Sequence, residues 1–264
     1  MNSIKRVLSR EVEAVGGQRV VESVCPACGD LGWVRSDASP GEDGFGKFSQ
    51  CPTCSEPARK RWLASMCGLD GKTMDLRLAD WNGGNWPDVD GAEKEERIQQ
   101  RRVAWKAIKD ALDKRSGIHT FYGDFGSGKT HALAVIVNEC REKLIESYYV
   151  PMASVLDHLR SLYGKKRDTS EYWQRLLDVP VLALDEVTRF NATDWAQDKL
   201  FVLADTRYRR RTSHLTIFGT NDDPRKGLPP GECVGYLVSR MREGVLVELR
   251  GDMRPAVKGA WWNE

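Results

Sequence analysis

The stretch Gly123-Asp-Phe-Gly-Ser-Gly128-Lys129-Thr130 constrains the fold of this chain more than any other segment. It fits the pattern G-x-x-x-x-G-K-[ST], in which glycines let the backbone curl so that successive N–H groups converge on phosphate oxygens. Such a loop needs a strand running in and a helix running out, because the helix N-terminus adds positive potential where the phosphates sit. Both neighbours are present. Ile118–Tyr122 reads as a short strand, and Leu133, Ile136, Val137, Cys140 and Leu144 repeat at helical spacing behind the loop. In this geometry Lys129 reaches the β- and γ-phosphates of a nucleoside triphosphate, and the Thr130 hydroxyl is offered to Mg2+. The alternative is a glycine-rich turn that matches by accident, and a strand and helix in register weigh against it.

From Ala92 onward helices and strands alternate. Ile98, Trp105, Ile108 and Leu112 share a helical face that Gly117 ends. Tyr148–Val150 reads as a strand, Ala153–Tyr163 as a helix, and Val179–Leu184 as a strand buried on both faces. Asp194–Arg211 reads as a helix, His214–Gly219 as a strand, Val234–Arg242 as a helix and Val245–Leu249 as a last strand. This alternation predicts an α/β architecture, a parallel sheet with helices on both faces.

The strand Val181-Leu-Ala-Leu184 runs into Asp185 and Glu186. At the carboxyl edge of the sheet beside the phosphate loop, Asp185 is placed to bind the Mg2+ shell and Glu186 to activate water as a general base. An ordinary strand with an acidic turn is the alternative. The paired carboxylates suit water activation better than phosphoryl transfer to a bound hydroxyl. His214–Gly219 delivers Thr220 and Asn221 at its end, where Asn221 can hold the water or the γ-phosphate. Arg240, in Val238-Ser239-Arg240-Met241-Arg242, can stabilise the charge at a neighbouring subunit's nucleotide. Read alone, it is a surface charge.

Four of the seven cysteines form two Cys-Pro-x-Cys pairs, Cys25/Cys28 and Cys51/Cys54. Each pair can fold as a tight turn with backbone N–H groups aimed at the sulfurs, and four thiolates complete a tetrahedral, structural Zn2+ shell. Disulfides, unbound thiols and a redox pair are the alternatives. Trp33, Phe45, Phe48 and Trp62 lie near Arg35, Lys47, Arg59, Lys60 and Arg61, a mixture that suits nucleic acid. Trp33 and Phe48 are expected instead to form a small core around the metal.

The motifs Gly-Asp-Phe-Gly-Ser-Gly-Lys-Thr-His, Leu-Ala-Leu-Asp-Glu-Val, Thr-Arg-Tyr-Arg, Phe-Gly-Thr-Asn and Ser-Arg-Met-Arg occur in the order seen in the DnaC/IstB group of AAA+ ATPases. That group comprises bacterial and phage helicase loaders and transposase helper ATPases. The chain resembles it over about Asp75–Arg254, including a lead-in, Asp75–Trp81, where Leu78 and Trp81 replace the usual phenylalanines. The resemblance implies a P-loop AAA+ domain lacking a full helical lid. Gly123, Asp124, Phe125, Gly126, Ser127, Gly128, Lys129, Thr130 and His131 would bind the nucleotide, with Thr130 and Asp185 on magnesium. Glu186 would be the base, Asn221 the first sensor, Arg240 a finger acting in trans through self-association, and Arg254 the second sensor. Lys165, Lys166 and Arg167 would touch single-stranded DNA in a channel. The cluster Arg207, Arg209, Arg210 and Arg211 either pairs with a helix C-terminus or, for Arg207, serves an adjacent subunit's nucleotide.

Composition bounds the rest. No apolar run approaches the ~18 residues of a membrane span, and Met1–Arg10 has Lys5, Arg6 and Arg10 without the apolar core of a secretory signal. A cytoplasmic protein is expected. A net charge of +2, from 40 basic and 38 acidic residues, leaves any nucleic-acid contact to local clusters. Three regions are expected: a zinc-binding module at 1–68, a linker at 69–91 and the ATPase domain at 92–264. The leading functional reading is an ATP-, Mg2+- and Zn2+-dependent loader of a DnaB-like replicative helicase on single-stranded DNA. A transposase helper and a non-hydrolysing, ATP-switched adaptor are the competitors.

Overall fold

The cysteine-bearing part of the chain folds around its sulfurs and not around an apolar core. The computed structural model describes residues 25–29, 32–81, 91–161, 166–188, 193–226 and 232–252, without the side chains of 57–58, 166–170 and 232–234. It divides into two compact units, Met1–Ala58 and Arg59–Glu264. In the first, β1 (Trp33–Arg35) pairs antiparallel with β2 (Phe48–Gln50). Cys25, Cys51 and Cys54 are buried, with Cys28 and Val34 packed on them. Trp33 and Phe48 are 53% and 67% exposed, so neither forms the expected core. The sulfur cluster fills the centre, and three-residue strands leave these aromatics outside it.

Helix α1 (Ser55–Met66) runs across the division of the chain. The second unit continues with α2 (Gly91–Lys114), β3 (Gly117–Gly123), α3 (Lys129–Glu142), β4 (Ser147–Pro151), α4 (Met152–Ser161) and α5 (Lys166–Asp178). Then come β5 (Val181–Asp185), α6 (Asp194–Arg209), β6 (Leu215–Thr220), α7 (Glu232–Arg242) and β7 (Val245–Leu249). The five long strands form one parallel sheet in the order β4-β5-β6-β3-β7. Thus β6 lies between the strand that feeds the phosphate loop and the strand that ends in Asp185.

Alternation along each strand separates two cores. Val181, Ala183, Leu215 and Ile217 pack with Ile108 of α2 and with Leu133 and Ile136 of α3. Leu182, Leu184 and Phe218 pack with Leu156, Leu176, Leu203 and Leu237 on the other face. Cys67 and Trp81 belong to the first core, with Leu69, Met74, Leu76 and Leu78 packed against it. The lead-in is therefore part of the second unit, and the division at Ala58 falls ahead of the boundary that composition suggests.

Two details differ from the sequence reading. Trp105 is 38% exposed, because the buried stripe of α2 runs through Arg101, Ala104, Ala107, Ile108, Ala111 and Leu112. The alanines let α2 lie close to its neighbours, and rotate its buried face away from Trp105. Helix α5 is absent from the elements that the sequence predicts, since most of its first turns are polar and its buried leucines, Leu176 and Leu177, come only at its end. Among the described residues no helix follows α7, and none is long and apolar enough to cross a membrane.

Candidate nucleotide site and cysteine cluster

The phosphate loop is shaped by glycines in backbone conformations that other residues rarely adopt. Gly123 has φ +128°, and a Cβ there would stand 2.0 Å from the Leu249 carbonyl oxygen of β7. Gly128 (φ 93°) is the N-cap of α3. The Lys129 ammonium donates to the carbonyls of Gly123 (2.9 Å) and Asp124 (2.5 Å), and burial lowers its pKa. Asp124 accepts from Gly251 N–H at 3.0 Å, tying the loop to the chain after β7. Ser127 is fully buried, and the Arg101 guanidinium donates to its carbonyl at 2.6 Å. Arg101 also lies over the Trp81 ring at 5.0 Å, and burial lowers its pKa to about 10. Sequence reasoning missed Arg101. Its signal was its place in line with Ala104, Ile108 and Leu112 on the buried stripe. His131 meets Trp81 edge-on at 5.2 Å, its pKa lowered by burial, and does not line the cleft described next.

Asp185, at the end of β5, is buried and held from three sides. Its Oδ2 accepts from the Thr130 hydroxyl at 2.6 Å and from the Tyr149 phenol at 3.0 Å, and its Oδ1 accepts from Glu186 N–H at 2.9 Å. Space for this carboxylate comes from β6, because a Cβ on Gly219 would lie 2.1 Å from Asp185 Oδ1. Glu186 is exposed and has φ +51°, a left-handed conformation that costs a non-glycine residue roughly 1 kcal/mol or more and clusters at functional sites. A cleft of about 220 Å³ brings these groups together. Phe125, Gly126, Gly128, Lys129 and Thr130 form one wall, and Asp185, Glu186, Thr220 and Asn221 the other. A cation, two hydroxyls, two carboxylates and an amide on one cleft are the donor set that a divalent cation and a phosphate chain require.

The chain is 27% identical over 162 residues to the chromosomal replication initiator protein DnaA of Aquifex aeolicus (strain VF5), covering 60% of this chain and 39% of that protein. It is 34% identical over 116 residues to the replicative helicase loader DnaI of Bacillus subtilis (strain 168), covering 42% of this chain and 35% of that protein. It therefore spans well under half the length of these relatives. No protein-family model matches. Among solved structures, AMPPCP-bound DnaA from Aquifex aeolicus superposes with a TM-score of 0.53 at 23% identity, covering 66% of this chain and 49% of that one. The DnaC helicase loader superposes with a TM-score of 0.50 at 20% identity, over 69% of this chain and 100% of that one. The fold is that of an AAA+ domain.

Within this fold the remaining site residues fare differently. Arg240 does not line the cleft. Its guanidinium lies 3.9 Å from the Tyr208 ring centre and 4.6 Å from that of Tyr236, and donates to Glu243 at 2.8 Å and to the Tyr236 hydroxyl at 2.9 Å. Arg207 is not a residue for an adjacent nucleotide. It is 1% exposed and donates to the carbonyls of Val179 (2.5 Å) and Leu215 (2.7 Å) and to Thr216 Oγ1 (2.9 Å), locking α6 to β6 and to the segment just before β5. Arg211 donates to the Tyr208 carbonyl at 3.0 Å near the end of α6, and Arg210 pairs with Asp178. Lys166 and Arg167 begin α5, with their side chains outside the described set, and Lys165 and Arg254 lie outside the described residues.

The two cysteine turns form as their sequence suggests. Gly29 N–H bonds to Cys25 O at 2.8 Å, and Gly29 has φ +60°. All four Sγ atoms lie within 4.8 Å of one another. Cys25 and Cys51 are 3.8 Å apart, the edge expected of a tetrahedron with Zn–S of about 2.3 Å. Cys28 and Cys54 are 3.0 Å apart, too far for a disulfide, and none of the four cysteines is disulfide-bonded. Burial opposes ionisation of Cys51, but the N–H groups of Cys54 and Thr53 prevail and bring its pKa down to about 7. The donor set fits a structural zinc.

Proposed function

We propose that this chain binds ATP with Mg2+ and hydrolyses it to drive helicase loading in DNA replication. Its similarity to DnaA and DnaI supports a replication-initiation or helicase-loading AAA+ protein. The observation that carries the reading is the gathering of Lys129, Thr130, Asp185, Glu186 and Asn221 on one cleft from three different strand ends. Lys129 would neutralise the β- and γ-phosphates, Thr130 and Asp185 would hold Mg2+, and Glu186 would take the proton of the attacking water, with Asn221 orienting it. The metal supplies charge neutralisation, and this chain supplies position. The cysteine cluster would hold one structural zinc in the first unit.

A replicative helicase is proposed as partner from the likeness to the helicase loader DnaI, and single-stranded DNA and further copies of this chain from the motifs shared with the DnaC/IstB group. One observation favours a second reading, a nucleotide-switched adaptor that turns over slowly by itself. Arg240 is held inside its own subunit by Tyr208, Tyr236 and Glu243, and would have to leave them to reach a neighbour's phosphate. The test is co-purification and turnover. With ATP, the full chain should retain a replicative helicase from its host on an affinity resin, and Lys129→Ala should lose both nucleotide and helicase. Helicase capture that ignores nucleotide and the Lys129 substitution would remove the loading role.

A further inference from the structure

Tyr149 belongs to no motif, yet its phenol is aimed at the aspartate of the site. Strands β4 and β5 are parallel neighbours with Tyr149 opposite Ala183 and Pro151 opposite Asp185. Tyr149 therefore leaves the sheet on the same face as Ala183 and Asp185, and its hydroxyl reaches Asp185 Oδ2 at 3.0 Å. The same oxygen accepts from Thr130 at 2.6 Å. In the proposed site the Thr130 oxygen would offer a lone pair to Mg2+, and the phenol is the second side-chain donor on Oδ2, held from a different strand. On the other side, Glu186 N–H holds Oδ1 and Gly219 leaves just enough room for it.

The backbone that carries Tyr149 is itself fixed. Its N–H donates to Cys67 O at 2.8 Å, and a Cβ on Gly68 would stand 2.1 Å from its carbonyl oxygen. The Cys67–Gly68 segment thus lies against β4 with little freedom to shift. A tyrosine phenol carries its proton throughout the neutral range and can only donate to a carboxylate there.

We propose that Tyr149 is a positioning residue for the divalent cation. By holding Oδ2 from the neighbouring strand it fixes the rotation of the Asp185 carboxylate, so that a free lone pair faces the cation, and it sets how much Mg2+ the nucleotide requires. This rests on the reading of the cleft as a Mg2+–nucleotide site. Partners of this kind typically change metal affinity by about 10–100-fold when removed.

The experiment is binding of a fluorescent, non-hydrolysable ATP analogue to the full chain, first in EDTA and then across a MgCl2 titration. For Tyr149→Phe the affinity in EDTA should equal that of the parent, while the Mg2+ concentration for half-maximal tightening rises about tenfold or more. In an Asp185→Asn background, adding Tyr149→Phe should change the titration by less than about twofold, since the carboxylate it orients is gone. Loss of affinity in EDTA as well would mean a structural role and overturn the proposal. So would parent-like Mg2+ dependence in Tyr149→Phe, or an undiminished effect of the substitution in the Asp185→Asn background. If the parent itself showed no Mg2+-dependent binding, the reading of the cleft would fail instead.

Discussion

Gly219 shows how much of the site depends on a side chain that is absent. Its φ is unexceptional, yet a single methyl group there would overlap Asp185 Oδ1 at 2.1 Å and crowd Leu133 at 3.2 Å. Gly219→Ala should therefore fold, at a cost of about 1–3 kcal/mol from overpacking, and swing Asp185 away from Thr130. Nucleotide affinity in Mg2+ should fall while affinity in EDTA is unchanged, which fluorescence titration reads directly. Unchanged Mg2+ dependence would show that the carboxylate tolerates displacement. Asp185 and Thr130 were legible from motif spacing alone, whereas Gly219 and Tyr149 were not, because their roles arise only when β4 and β6 are laid beside β5.

Among the elements, α6 carries the clearest reversal between sequence and structure. A run of arginines at a helix end suggests exposed cations, and Arg209 is exposed and pairs with Asp205 at 2.8 Å. Arg207, two residues earlier, points inward and satisfies carbonyls in β6 and in the segment leading into β5, with burial lowering its pKa to about 9. One helical face separates the two, and composition cannot distinguish them. Arg207→Met fills similar volume but strands those carbonyls without donors. It should destabilise the second unit by roughly 3 kcal/mol or more, measured as a shift in the urea midpoint. A change under about 0.5 kcal/mol would mean that water reaches the site.

Across the whole molecule, sequence periodicity located the five parallel strands because each is a short apolar run bounded by a polar turn. Strand order was not legible, since placing β6 between β3 and β5 depends on packing that no local pattern encodes. The first unit follows a different physics. With three-residue strands and its aromatics exposed, its folding free energy would come from the metal, as in small zinc domains generally. Cys28→Ser, or a strong chelator, should abolish zinc by metal analysis and remove amide-exchange protection from residues 25–54. The second unit should melt within a few degrees of the parent. Protein free of zinc that keeps that protection would show that the four thiols suffice.

Hydrolysis is the central claim, and Glu186 is the residue on which it turns. The decisive measurement is single-turnover phosphate release from Mg2+–ATP by the full chain and by Glu186→Gln, each with bound nucleotide quantified in parallel. The amide keeps the size and the left-handed backbone but cannot accept the proton of water. The parent should release phosphate, and the variant should bind ATP as tightly while its release falls about 10²-fold or more. Equal rates from the two proteins, with ATP bound to both, would take Glu186 out of the chemistry and contradict the assignment of this cleft as a hydrolytic site.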